Sequence, residues 1–403
     1  MMKKEDVGFG TLKVLEGNKV AACGILLCRP DVIAVYPITP QTSLVEKLCD
    51  YCAEGFLDSE LVEVEGENSA MAACIGASAA GGRTFTATSS MGLNFMFDSY
   101  VMASGIRAPV VMVNVNRDQQ PPTGPFAGEQ DIMTVRDAGW VHIHAENCQD
   151  ILDSVIMAYR LAEDPEILLP VTVAYDGFYL SYQAEGVHIP TQEEVDRFLL
   201  PVSEASRPVL IGPEGSMNFG ICPTSPEVWT EYRYKHQAAM ERVKTKVVEI
   251  TSEFERVFHR NHGELIEEYR TEDAEIVMVC LGSHTGTART VVDAKREEGI
   301  KVGLVKIRVF RPFPRERLVE ALQHKKGIGV IDRSVAFGCS GGHVFNELQV
   351  VLADLGHRVP ALDFIGGLGG ADITKAMITS AVEKTHQAAR GMAIPEVTWL
   401  SLE

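Results

Sequence analysis

The sequence predicts an α/β protein built on parallel sheets, and three observations carry that prediction. Apolar runs recur at 32–36, 84–88, 110–116, 171–175, 275–281 and 302–308. Between them lie stretches with apolar residues at helical spacing, such as Leu44, Val45, Leu48 and Cys52 within 41–54. Most of the runs are predominantly apolar, as in strands covered on both faces.

Taken in order, 18–30 reads as a helix and 32–36 as a buried strand that Pro37-Ile38-Thr39-Pro40 stops. Residues 61–64 form a short strand. From 68 to 81 almost every residue is small, which predicts a closely packed helix. The strand 84–88 runs into Ser89-Ser90-Met91-Gly92 and another helix. The rhythm breaks after Gly186: 186–235 is rich in Pro and Gly and reads mainly as linker. A long polar helix over 232–271 follows. The rhythm then resumes, with a turn at 282–286, a helix over 287–298, and strands at 327–331 and 359–364. This divides the chain into 1–235, a connecting helix 236–270, and 271–403.

The chain has 403 residues, with 37 basic and 55 acidic side chains, a net charge of −18. Such a surface repels phosphate backbones, so nucleic acid is not an expected partner. No uninterrupted apolar run reaches membrane-spanning length. Met1-Met2-Lys3-Lys4-Glu5-Asp6 lacks the apolar core of a signal peptide, and nine cysteines, an odd number, fit a reducing compartment. A cytoplasmic location is the expectation.

Four segments can carry chemistry. Tyr36-Pro37-Ile38-Thr39-Pro40 ends a strand, where open α/β sheets bind ligands; it is either a rigid turn or a ligand-facing one. Glu67 stands where a strand becomes the small-residue helix, as a plain helix cap or as a carboxylate at the mouth of a tight site. Ser89 and Ser90 end a strand and can offer hydroxyls and amides. Arg117 ends another strand, gripping a substrate carboxylate or pairing with Asp118 or Asp137. Cys49 and Cys52 form a lone CxxC inside a helix and read as core thiols. The glycine-rich 338–342 and 366–370 read as flexible turns, and no metal site is expected.

The segments VYPITPQTSLVEKL, EGENSAMAACIGASAAGGRTFTATSSMGL, NVNRD, RDAGW, AENCQD, LLPVTVAYDGFYLS and RVFRPFP occur in that order. Together they resemble the alpha-type subunit of 2-oxoacid:ferredoxin oxidoreductases, over about 15–200 and 270–370. The resemblance implies a domain for the aminopyrimidine half of thiamine diphosphate, followed by a domain like the carboxy-terminal one of transketolases. It implies that Glu67 hydrogen-bonds the aminopyrimidine ring and favours its imino form, with Tyr36, Pro37, Ile38, Ser89 and Ser90 lining the cofactor. It also implies that Thr39 and Arg117 hold the substrate carboxylate, and that coenzyme A takes the acyl group.

The chain has no GDG followed by a downstream Asn and no cluster-binding cysteine run. Magnesium with the diphosphate domain is therefore expected on a beta-type subunit. Four-iron clusters and coenzyme A domains are expected on gamma- and delta-type or fused subunits, with ferredoxin or a similar acceptor taking the electrons. Two departures bear on substrate. Met91 replaces the usual Gln, and Arg117 is followed by Asp118-Gln119-Gln120-Pro121-Pro122-Thr123-Gly124-Pro125-Phe126. Pyruvate is the family default. Gln119, Gln120 and Phe126, as a specificity loop, open a branched or aromatic 2-oxoacid such as phenylglyoxylate. The competing readings are a transketolase-type or lipoamide-linked decarboxylase subunit, and a non-catalytic assembly subunit.

Overall fold

The computed structural model describes residues 9–199, 211–212, 215–216 and 225–402. The first half runs β1 (Leu12–Glu16), α1 (Gly17–Cys28), β2 (Val32–Val35), α2 (Thr42–Ala53), β3 (Glu60–Glu63), α3 (Glu67–Ala79) and β4 (Thr84–Thr88). Then follow α4 (Ser90–Phe95), α5 (Phe97–Gly105), β5 (Val111–Asn116), α6 (Gln130–Thr134), β6 (Val141–His144), α7 (Cys148–Ala162) and β7 (Val171–Asp176). After β8 (Ala184–His188), α8 (Gln192–Phe198), β9 (Ile211–Gly212) and β10 (Gly215–Ser216), α9 spans Pro226–Phe258. The second half runs β11 (Ile266–Tyr269), β12 (Ile276–Cys280), α10 (His284–Glu297), β13 (Val302–Ile307), β14 (Val309–Arg311) and α11 (Arg315–Leu322). It ends with β15 (Gly327–Asp332), α12 (His343–Asp354), β16 (Ala361–Ile365), α13 (Lys375–Ala389) and β17 (Val397–Trp399).

Two sheets organise these elements. One has seven strands in the order β14-β6-β7-β5-β4-β2-β3, parallel except for β14. The other has six, β11-β13-β12-β15-β16-β17, parallel except for β11. The central strands are buried end to end, as in parallel sheets covered on both faces. Val110, Met112 and Trp140 of the first half share one hydrophobic core with Val279, Val305 and Phe345 of the second. The halves are therefore fused by packing, and β14 crosses over to pair with β6 in the first sheet. No helix among the described residues is long and apolar enough to cross a membrane.

Several boundaries differ from the sequence reading. The stretch read as linker begins with ordered elements: β8 pairs with β1, and α8 is started by a capping box of Thr191 and Glu194 and anchored by buried Val195 and Phe198. Residues 200–210, 213–214 and 217–224 lie outside the described residues. The connecting helix starts earlier, with Pro226 in its first turn, and stops at His259 in the left-handed conformation. Its stripe Ala239, Val243, Val247, Ile250, Phe254 and Phe258 is buried. The second sheet thus begins at Ile266, before residue 271. Only Gly282 and Ser283 remain of the turn expected at 282–286, because α10 begins at His284.

Candidate functional site

The carboxyl ends of β2, β4 and β5 and the start of α3 share one rim of the first sheet. At the end of β2, the Tyr36–Pro40 turn is pinned from beneath. Asn18 donates to the Pro40 carbonyl at 2.8 Å and accepts from the Tyr175 hydroxyl at 2.7 Å. Gln41, fully buried, donates to the Ala87 carbonyl at 2.9 Å and to that of Tyr36 at 3.4 Å. Tyr36, Pro37 and Thr39 are exposed above these anchors and Ile38 is half-buried. The turn is rigid and also faces outward, so the two sequence alternatives are compatible.

Glu67 opens α3 and is only 5% exposed. Phe95 lies over the preceding Gly66, where a Cβ would stand 2.7 Å from its ring. The Glu67 carboxylate rests against Gly92, where a Cβ would fall 2.2 Å from Glu67 Oε1 and 2.5 Å from Thr88 Oγ1. Gly92 is therefore required for this approach. The carboxylate has no hydrogen bond from another side chain among the described residues, and burial pushes its pKa up. Thr88 Oγ1, Ser89 Oγ and Gln41 Oε1 are buried without partners among the described residues. Buried polar atoms are normally satisfied, so Thr88 Oγ1 beside the Glu67 carboxylate, with the other open atoms of this rim, marks a place for a polar ligand. An aminopyrimidine ring, with ring nitrogens and an exocyclic amine, matches that set. Ser90 differs from the expectation, since its hydroxyl is taken by the Asp118 carbonyl at 2.8 Å.

Arg117, half-buried, donates through Nη1 to the Thr39 carbonyl at 3.0 Å and through Nε to the Gly124 carbonyl at 2.8 Å. The structure thus brings Thr39 and Arg117 together. The ion pair weighed as the alternative is not formed: Asp118 accepts from the Gly369 amide, and Asp137 pairs with Arg311 at 2.9 Å. No carboxylate among the described residues is within salt-bridge distance of Arg117. The guanidinium is held in place by carbonyls and its charge is left for an anion.

The loop after Arg117 divides in two. The Gln119 amide is engaged by Asn94 at 2.9 Å and Thr134 at 3.0 Å, while Gln120 is exposed. Phe126 is 50% exposed and begins an aromatic row, with ring centroids 5.5 Å from Phe178, which stands 5.3 Å from Tyr182.

The second half of the chain also reaches the site, which the sequence reading missed. The Gly370 amide donates to the Ala127 carbonyl at 2.7 Å, and a Cβ on Gly370 would stand 2.6 Å from that of Phe126. Gly370 sits at φ +78°. The 366–370 stretch is thus a fitted wall behind the loop, not a flexible turn. Its glycines were the available signal.

Asp131 was missed as well. Fully buried, it accepts from the Ser90 and Arg117 amides at 2.9 and 3.2 Å, and burial raises its pKa to about 7. A cleft of about 610 Å³ lies between the halves, lined by Tyr179, Ser283, His284, Arg333 and Lys375 among others. Its lining includes neither Glu67 nor Arg117, and from its wall the Tyr179 hydroxyl donates to the Gly370 carbonyl at 2.9 Å.

Residues 23–252 match the family model described as pyruvate flavodoxin/ferredoxin oxidoreductase, thiamine diphosphate-binding. Residues 274–378 match pyruvate:ferredoxin oxidoreductase core domain II. The chain is 43% identical over 392 residues to pyruvate synthase subunit PorA of Methanothermobacter thermautotrophicus, covering 97% of this chain and 98% of the relative. It is 41% identical over 394 residues to the alpha subunit of NADH-dependent phenylglyoxylate dehydrogenase of Aromatoleum evansii, covering 96% and 94%. In fold it is similar to 2-oxoglutarate:ferredoxin oxidoreductase from Magnetococcus marinus, with a TM-score of 0.69 at 21% identity. That likeness covers 93% of this chain and 65% of that one.

Proposed function

The chain belongs to the 2-oxoacid:ferredoxin oxidoreductase family as an alpha-type subunit, and from that premise we propose that it helps convert a 2-oxoacid and coenzyme A to an acyl-CoA and carbon dioxide. One observation carries the assignment of the site. Along a single sheet rim stand a buried carboxylate, Glu67, and a half-buried guanidinium, Arg117, neither with a side-chain partner among the described residues.

In this reading Glu67 is the catalytic acid–base. Its raised pKa lets it hold a proton at Oε1 or Oε2 and exchange it with a ring nitrogen placed against it. Thr88, Ser89 and Ser90 wall the ring on the β4 side, and Tyr36, Pro37 and Ile38 on the β2 side. Bound thiamine diphosphate would supply the carbon nucleophile and the electron sink for loss of carbon dioxide. Arg117 binds the substrate carboxylate and Thr39 orients it, which fixes the keto carbon before reaction.

Partner subunits complete the enzyme in this reading. A beta-type subunit holds magnesium and the diphosphate, and gamma- and delta-type or fused subunits carry the [4Fe-4S] clusters and the coenzyme A domain. Electrons pass to ferredoxin or a similar acceptor, and the assembly works in the cytoplasm.

The substrate we favour is a 2-oxoacid with a branched or aromatic side chain. Identity does not separate the relatives, since the phenylglyoxylate and pyruvate enzymes match at 41% and 43%. The exposed Phe126 beside the Arg117 strand end supports an apolar group larger than methyl. The test is to purify the complex with its partner subunits and assay pyruvate, branched 2-oxoacids and phenylglyoxylate with coenzyme A and a viologen dye. A higher kcat/KM for the larger acids is expected, and a preference for pyruvate would overturn the substrate assignment.

A further inference from the structure

We propose that Asp131 is the positioning residue that locks the cofactor side and the substrate side of the site to each other. The proposal rests on the reading above, in which Ser90 stands beside the cofactor and Arg117 beneath the substrate.

A single oxygen of Asp131 gathers three donors from separate parts of the rim. Oδ2 accepts from the Ser90 amide at 2.9 Å, from Asn114 Nδ2 at 2.9 Å and from the Arg117 amide at 3.2 Å. Oδ1 accepts from the amide of Ile132 at 2.8 Å. Asn114 also donates to Asn116 Oδ1 at 2.8 Å, within β5.

Ser90 sits at φ +50°, in the left-handed region that residues with a Cβ avoid. Its amide on Asp131 and its hydroxyl on the Asp118 carbonyl hold it there. That conformation ends β4 abruptly and starts α4, which delivers Gly92 against Glu67. The same oxygen holds the backbone from which the Arg117 side chain reaches Thr39. The stem of the substrate arginine and the turn beside the catalytic acid therefore share one anchor. A residue that only filled space would need no such convergence of three donors on one oxygen.

The test uses the complex assembled with its partner subunits, carrying Asp131→Asn, Asp131→Ala or Arg117→Ala. Thiamine diphosphate affinity is measured by calorimetric titration of the cofactor-free complex, and KM and kcat with pyruvate and phenylglyoxylate. Asp131→Asn keeps the volume and replaces one of the two accepting oxygens with an amide donor. It is expected to raise the thiamine diphosphate Kd and both KM values together, about three- to tenfold each, with kcat at saturation changed less. Asp131→Ala, where it assembles, is expected to raise them further. A folded Asp131→Asn complex with both constants unchanged, or with only one moved, would overturn the proposal. Arg117→Ala separates the two failures. If it leaves KM unchanged, the functional reading fails. If it raises KM while Asp131→Asn does nothing, only the role of Asp131 fails.

Discussion

Two carboxylates of the first sheet stand in nearly equivalent places and have opposite surroundings. Asp150 lies in the first turn of α7 and Glu67 in the first turn of α3, both buried and both favoured by a helix N-terminus. Asp150 faces the second half of the chain. Lys306 comes within 3.4 Å, Arg308 within 3.3 Å, and the Ser154 hydroxyl donates at 2.9 Å. Lys306, His262 and Arg308 hold its pKa well below the usual carboxylate range, outweighing its desolvation. Glu67 has only its helix, and desolvation pushes it up. Burial alone therefore does not distinguish a structural acid from a functional one; the presence of counter-charges does. Glu129 adds a shading. It is buried with neither oxygen bonded among the described residues, and burial beside Asp176 pushes its pKa well above the normal range.

The sharpest way to break the comparison is to neutralise each acid. Glu67→Gln should leave the complex assembled and lower turnover by roughly two to four orders of magnitude, the usual worth of a positioned acid–base. Near-normal turnover in a folded complex would remove Glu67 from the mechanism. Stability should rise slightly in the cofactor-free protein above the raised pKa, where the wild-type acid is ionised at a cost.

Asp150→Ala should act the other way round. It strands Lys306 and Arg308 and should cost about 3–5 kcal/mol of stability, read from the denaturant midpoint, with turnover per folded complex nearly intact. The acid limb of stability should follow the same group. Because its folded pKa is depressed, its contribution is complete above the unfolded value of about 3.9 and is lost as pH falls through the folded one. A stability profile from pH 5 downward, compared with Asp150→Asn, checks this: the variant should lose the slope that Asp150 adds.

Smaller effects sharpen the picture on the substrate side. Arg117→Ala should lower kcat/KM about ten- to a hundredfold, some 1.5–3 kcal/mol, and do so for every 2-oxoacid alike. Gly370→Ala presses on Phe126 from the second half of the chain. It should change the ranking of 2-oxoacids by less than about tenfold, as packing changes in apolar pockets do. An unchanged ranking, measured over the same acids, would separate that wall from specificity.

Elements with a local signature were legible. Val111–Asn116, Val171–Asp176 and Ile276–Cys280 are short, largely apolar stretches rich in β-branched residues, and all three are strands buried on both faces. The small residues of Glu67–Ala79 announced a tight helix, and Glu67, Thr39 and Arg117 stood at strand ends within a motif. Others gave no such sign. Val141–His144 interleaves histidines with apolar residues, yet His142 is buried and meets the Tyr100 hydroxyl at 3.1 Å. The α7 sequence carries Asp150 and Asp153, both fully buried, because Arg308, Arg260 and His262 arrive from far along the chain to neutralise them.

Period, propensity and motif act over a few residues, so the α/β class, several of the central strands and helices, and the candidate acid, threonine and arginine could be read from the chain directly. Charge partnership and contact across the fold act between residues a hundred or more apart, such as Asp150 with Arg308 or Gly370 with Ala127. Only the folded chain decides which acids are paired, which backbone β14 joins, and what stands behind the loop at Phe126, because desolvation and Coulomb energy depend on where groups meet in space.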